Sequence, residues 1–170
     1  MVAIAAWTML LLSACGLPPV LTTEQHIFVP YAMIAAAPDG QGLLSGPFQG
    51  QRIPATLIAV PKETGAFKVT QAWLVCRVEN GGSLPLDMDL FVSPGSQDPY
   101  QTKAIDERWH LPPASQSIKK EYPLDPSWLQ GQSLRIGARF TSMNSVEDLD
   151  SATRRGVAIT HQLRAVIQIL

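Results

Sequence analysis

Three histidines, two cysteines and several close-set carboxylates are the side chains of this 170-residue chain best suited to chemistry. His26, His110 and His161 are far apart, and none lies in an HxH or HExxH pattern. A zinc or copper site would need them to meet in space with a further ligand. The plainer expectation is two surface histidines and one at a strand start, with no metal and no cofactor. Asp87 and Asp89 share one face of a strand, about 7 Å apart by strand rise. With Asp98 they offer oxygen ligands for calcium, but the Gly and Glu of an EF-hand loop are missing. The solvated face of an amphipathic strand is the simpler account. Glu147, Asp148 and Asp150 read as a polar loop. Asp106 and His110, at helical spacing, imitate part of a triad without an identifiable serine. Ser45 in Leu44-Ser45-Gly46 lacks the first glycine of a GxSxG elbow. Paired carboxylates for glycoside hydrolysis are easily brought together in space, yet a small sandwich leaves little wall for a deep cleft. Neither GxxxxGK nor GxGxxG occurs, so nothing supports a nucleotide cradle. The expectation is a chain with no catalytic residue.

The two cysteines differ in context. Cys15 closes Leu12-Ser13-Ala14-Cys15, directly after the almost wholly apolar, uncharged stretch Val2–Leu12. That stretch suits a signal-peptide core and is short of the roughly 18 residues of a membrane span. A large apolar residue, Leu12, and two small ones, Ser13 and Ala14, thus stand directly ahead of the Cys15 thiol. An ordinary buried helix is disfavoured, because Gly16, Pro18 and Pro19 follow at once. The segment resembles the lipobox of bacterial lipoproteins, although Lys and Arg are absent ahead of its apolar core. The resemblance implies a signal peptide over 1–14, a diacylglycerol thioether on Cys15, a lipidated tether over 15–25 and a body over 26–170. Acyl chains contribute about 0.8 kcal/mol per buried methylene, so two make a stable membrane anchor. The family rule for the residue after the cysteine, here Gly16, favours the outer membrane of a diderm cell. Cys76 shares a strand face with Leu74 and Val78 and reads as a small buried hydrophobe, the alternative being a reactive or intermolecular thiol.

Composition limits the partners. Thirteen Lys+Arg against fourteen Asp+Glu give a net charge of −1, too balanced for an electrostatic nucleic-acid binder. At 46% apolar residues the chain is not disordered, and two cysteines are too few for a disulfide scaffold. Arg135, Arg139, Arg154, Arg155 and Arg164 offer at most a mild basic patch, for which ordinary surface charge is the simpler account.

These side chains must be carried by strands. Residues 26–29, 53–60, 67–79, 84–92, 116–122, 134–140 and 157–170 read as strands, the last with Leu163, Ala165, Ile167 and Ile169 on one face. Asn80-Gly81-Gly82 suggests a tight hairpin. Asp125-Pro126-Ser127-Trp128-Leu129 suggests one helical turn. About seven strands without a βαβ rhythm indicate an all-β, antiparallel β-sandwich. The body loosely resembles immunoglobulin-like and fibronectin-III-like envelope domains, without the Cys–Trp–Cys signature of antibodies. The longest irregular stretch, 93–115, holds Tyr100, Arg108, Trp109 and His110. Loops on rigid scaffolds often bind, and aromatic and Arg side chains dominate contact energies. The plainer reading is that Tyr100 and Trp109 pin the loop to the sandwich. The resulting expectation is a lipid-anchored envelope protein with an accessory role toward another envelope protein. A carrier of an apolar or glycan ligand is the alternative, and a hydrolase the remote third.

Overall fold

The computed structural model describes residues 6–10, 18–31, 51–52, 55–59, 67–82, 85–95, 97–102, 105–114, 116–131, 133–141 and 155–170. Among these residues ten strands appear: β1 (Ala6–Leu10), β2 (Val20–Pro30), β3 (Gln51–Arg52), β4 (Thr56–Ala59), β5 (Phe67–Asn80), β6 (Leu86–Pro94), β7 (Ile105–Leu111), β8 (Ile118–Leu124), β9 (Ser133–Thr141) and β10 (Gly156–Ile169). They form two five-stranded sheets, ordered β1-β2-β10-β5-β8 and β3-β9-β6-β7, with β4 also paired to β9. Every pairing is antiparallel. A single-turn helix, Pro99–Thr102, and a 3-10 helix, Pro126–Gly131, are the helical elements of more than one residue among those described. No helix among them is long and apolar enough to cross a membrane.

The antiparallel all-β sandwich is as expected, but its strand order is more specific. Only β1–β2 and β6–β7 pair strands that follow one another in the chain. The order β2-β10-β5-β8 facing β4-β9-β6-β7 is the double Greek key of a jelly roll, not the order of an immunoglobulin domain. Alternation drives the layering. Leu74, Cys76 and Val78 of β5 face inward with Ile159 and Leu163 of β10, and Leu86, Met88 and Leu90 of β6 meet them with Ile136 and Phe140 of β9. Each large side chain so buried contributes roughly 1.5–3 kcal/mol.

Three expectations are corrected by the fold. The Asn80-Gly81-Gly82 segment is not a hairpin, because β5 and β6 belong to different sheets. Among the described glycines only Gly95 takes a positive φ, 62°. Asn80 instead anchors a corner. Its buried amide donates to the carbonyls of Leu111 at 3.3 Å and Pro112 at 3.1 Å, and it accepts from the Gly82 N–H at 3.2 Å and the Tyr31 hydroxyl. Gly82 lies against the Tyr31 ring, where a Cβ would collide.

Secondly, the long loop is shorter than read. Ile105–Leu111 is strand β7, whose Trp109 and Leu111 point inward while Asp106, Arg108 and His110 point outward. Prolines on both sides hide this two-residue period. Thirdly, β10 buries His161, Leu163, Ala165 and Ile167, whereas Ile169 is 64% exposed beyond a register shift at Val166/Ile167.

At the other end, β2 starts at Val20 and pairs with β10 from there, inside the stretch read as tether. β1 lies along the same strand, Ala6 opposite Glu24 and Leu10 opposite Val20. Leu12-Ser13-Ala14-Cys15, Ser45 and the acidic group Glu147, Asp148 and Asp150 lie outside the described residues.

Candidate functional site: a clamped arginine face

The outer side of β9-β6-β7 gathers several of the polar side chains singled out above. Alternation along β6 turns Asp87, Asp89 and Phe91 away from the core. Register then sets Asp89 between Arg108 of β7 and Arg139 of β9. Arg108 donates through Nε to Asp89 Oδ1 at 2.8 Å and through Nη2 to Oδ2 at 3.4 Å. Arg139 donates to Oδ2 through Nε at 3.0 Å and Nη2 at 2.5 Å. The Asp89 side chain is only 5% exposed, whereas that of Arg108 is 63% exposed. Burial by itself would raise the Asp89 pKa. The hydrogen bonds and charges of Arg108 and Arg139 outweigh it and hold the carboxyl below its usual range.

An aromatic pair adjoins this clamp. Phe91 and Tyr100 meet edge to face with centroids 5.3 Å apart. The Arg139 guanidinium lies 5.6 Å from the Phe91 centroid, and that of Arg52 lies 4.9 Å from Tyr100. Asp98 positions Tyr100 by accepting its backbone N–H at 3.0 Å, and the Tyr100 hydroxyl donates to the Ala138 carbonyl at 3.1 Å. Burial pushes that hydroxyl up to about 12, so it stays a neutral donor. Gly137 makes the approach possible, since a Cβ there would sit 2.6 Å from Tyr100 Cζ. At the far end of β7, His110 Nδ1 lies 3.0 Å from Asp87 Oδ1.

Of the four loop residues expected to bind, Tyr100, Arg108 and His110 reach this face and Trp109 does not. Trp109 is buried, donating its indole N–H to Tyr122 Oη at 2.9 Å across the two sheets, with the Lys120 ammonium 4.9 Å from its ring. It pins the strand, as the plainer reading had it. Arg52, Asp89 in its clamping role, Phe91 and Arg139 were not picked out as a group. Their outward positions were legible in the alternation, but their convergence depends on a strand order that alternation does not encode.

Among the described residues the other constellations are not assembled. Asp87 is occupied with His110 and Asp89 with two arginines, which leaves no calcium cradle with Asp98. Asp106 and His110 sit on a strand, about 13 Å apart rather than one helical turn. No group of three or more metal-type ligands gathers among the described residues. Arg139 and Arg164 lie on different sheets, so the arginines form no single patch. His161, expected at the surface or a strand start, is buried with neither ring nitrogen hydrogen-bonded, and burial pushes it down to about 4. Cys76 is the buried hydrophobe expected, its thiol pushed up to about 12 chiefly by burial.

No protein-family model matches the chain, and no curated protein matches its sequence. Among solved structures it is similar to a cleaved adhesin domain of Lys-gingipain from Porphyromonas gingivalis, at 10% identity and a TM-score of 0.38 over 99% of this chain and 94% of that one. A second is the enzymatically active domain of a tailspike protein of bacteriophage CBA120, at 11% identity and a TM-score of 0.35, covering 99% of this chain and 19% of that one. A third is a xylan-binding domain from Paenibacillus barcinonensis, at 12% identity and a TM-score of 0.31 over 97% of this chain and 85% of that one.

What the arginine face can do follows from its donors. Asp89 engages the Nε and Nη2 of Arg108, and because that side chain is largely exposed its remaining N–H groups are able to meet a carboxylate or carbonyl. A guanidinium already held in place loses little freedom on binding.

Proposed function

We propose that this chain is a non-catalytic binding module of the bacterial envelope, anchored by a lipid on Cys15, that presents the outer face of β9-β6-β7 to a protein partner. The observation that carries the reading is the Arg108–Asp89–Arg139 clamp beside the Phe91–Tyr100 pair. Arginine and aromatic side chains are the ones on which contact energy concentrates, and these are fixed before contact. The partner surface carries carboxylates or backbone carbonyls to meet Arg108. A carrier role inside the sandwich has less support, since among the described residues the space between the sheets beside His161 is about 10 Å³, room for one water molecule at most. Support for the anchor is the sequence Leu12-Ser13-Ala14-Cys15.

Two experiments test the proposal. Cys15→Ser abolishes lipid labelling and leaves an uncut precursor; normal processing of that variant removes the anchor from the account. Affinity purification from native membranes retains an envelope protein with the natural chain and loses it with Arg108→Ala. Equal retention by both removes the arginine face.

A further inference from the structure

The opposite face of the sandwich carries a second cluster, independent of the arginine face and of the anchor. On the outer side of β2-β10-β5, register sets Glu24, Gln162 and Val75 in one row and His26, Thr160 and Arg77 in the next. Glu24, Val75, Arg77, Thr160 and Gln162 line a depression of about 50 Å³. Val75 is its apolar floor. Its walls are held in place from strand to strand. Gln162 Nε2 donates to Glu24 Oε2 at 3.3 Å, His26 Nε2 lies 3.2 Å from Glu24 Oε1, and His26 Nδ1 lies 3.0 Å from Thr160 Oγ1. Arg77 is exposed and has no ion-pair partner among the described residues. Two positions along β5 the half-buried indole of Trp73 continues the surface, with the Arg164 guanidinium 5.9 Å from its centroid.

The mixture of groups selects the ligand class. A free anion would meet the Glu24 carboxylate, and a cation would meet Arg77. A purely apolar ligand would strip water from four polar side chains without replacing their hydrogen bonds. A polyhydroxylated ring suits all of them, because each hydroxyl both donates and accepts, and its C–H face matches Val75 and an indole. We propose that the outer face of β2-β10-β5 binds a neutral glycan. One hexose or N-acetylhexosamine unit rests on Val75, with Arg77 and Gln162 donating to its hydroxyls and Glu24 accepting. The next unit extends toward Trp73.

The test is a titration of the isotope-labelled full chain, in detergent, with tetrasaccharides of glucose, mannose and N-acetylglucosamine. Amide resonances are followed by NMR. At least one saccharide shifts the amides of Val75, Arg77, Thr160 and Gln162. Arg77→Ala and Gln162→Ala each weaken its binding about tenfold while keeping the natural β-type circular dichroism. Lys68→Ala, at the other end of β5, binds as the natural chain does. The proposal is overturned if no saccharide moves these amides up to about 10 mM, a concentration that saturates a millimolar site appreciably. It is equally overturned if the shifts fall on another face, or if both alanine variants bind undiminished.

Discussion

At the scale of single residues, two buried polar groups set the behaviour of the molecule in opposite ways. Asp89 is fully engaged, and its carboxylate is what keeps Arg108 and Arg139 side by side. Asp89→Asn keeps the shape and removes the charge. Because both arginines remain partly exposed, the expected cost is about 1–2 kcal/mol, read as a lower urea midpoint at neutral pH. Its folded pKa is lowered, so its stabilisation is present above the unfolded carboxylate range and fades as pH falls through the folded value. His161 is the reverse case, unpartnered between Gln25 of β2 and Cys76 of β5. Its folded pKa of about 4 lies below the ordinary 6.5. Between those values the unfolded chain binds a proton that the folded chain does not, so stability falls as pH drops from 6.5 toward 4. The loss amounts to about 3 kcal/mol at most. Urea midpoints at several pH values test this: His161→Leu flattens the acid-side slope, and an unchanged slope contradicts the assignment.

Elements show where reading the chain succeeds and where it stops. The alternation in β6 and β9, and the Asp125-Pro126 start of the 3-10 helix, were visible because each depends on neighbours in sequence. Ser127 N–H donates to Asp125 Oδ1 at 2.9 Å, the local cap that such a start implies. The corner at Asn80 was not visible. Asn-Gly-Gly is as suitable for a hairpin as for a crossover, and the choice is made by Tyr31, Leu111 and Pro112, all distant in sequence. The two geometries predict different mutant stabilities. In a hairpin Asn80→Ala would be a mild turn change. Here it removes a buried amide with four hydrogen bonds and costs about 2–4 kcal/mol by denaturant melting. The face around Asp89 was half legible for the same reason. Outward positions can be counted along one strand, but the neighbours Arg108 and Arg139 follow from β7 and β9 flanking β6.

The whole molecule separates stability from binding. Its sheets meet through apolar inner faces, with Trp109 and Tyr122 joined between them by a hydrogen bond. Both outer faces are ordered by cross-strand polar contacts rather than by the core. The exposed side chains of these faces, Arg77 and His110 among them, can therefore be changed with little loss of fold, and a binding defect there is not a folding defect in disguise. The sandwich class was legible from strand count and composition. The jelly-roll order was not, because alternation tells which side of a strand is buried and not which sheet the strand joins. The central claim is that the clamped arginine face meets a protein partner. It is tested most directly by placing a photocrosslinking benzoylphenylalanine at position 110 of the full chain and irradiating native membranes. The account predicts one discrete envelope-protein adduct, lost when Asp89→Asn is added although that chain is still folded. The absence of any adduct from position 110, or an adduct that survives Asp89→Asn unchanged, contradicts it.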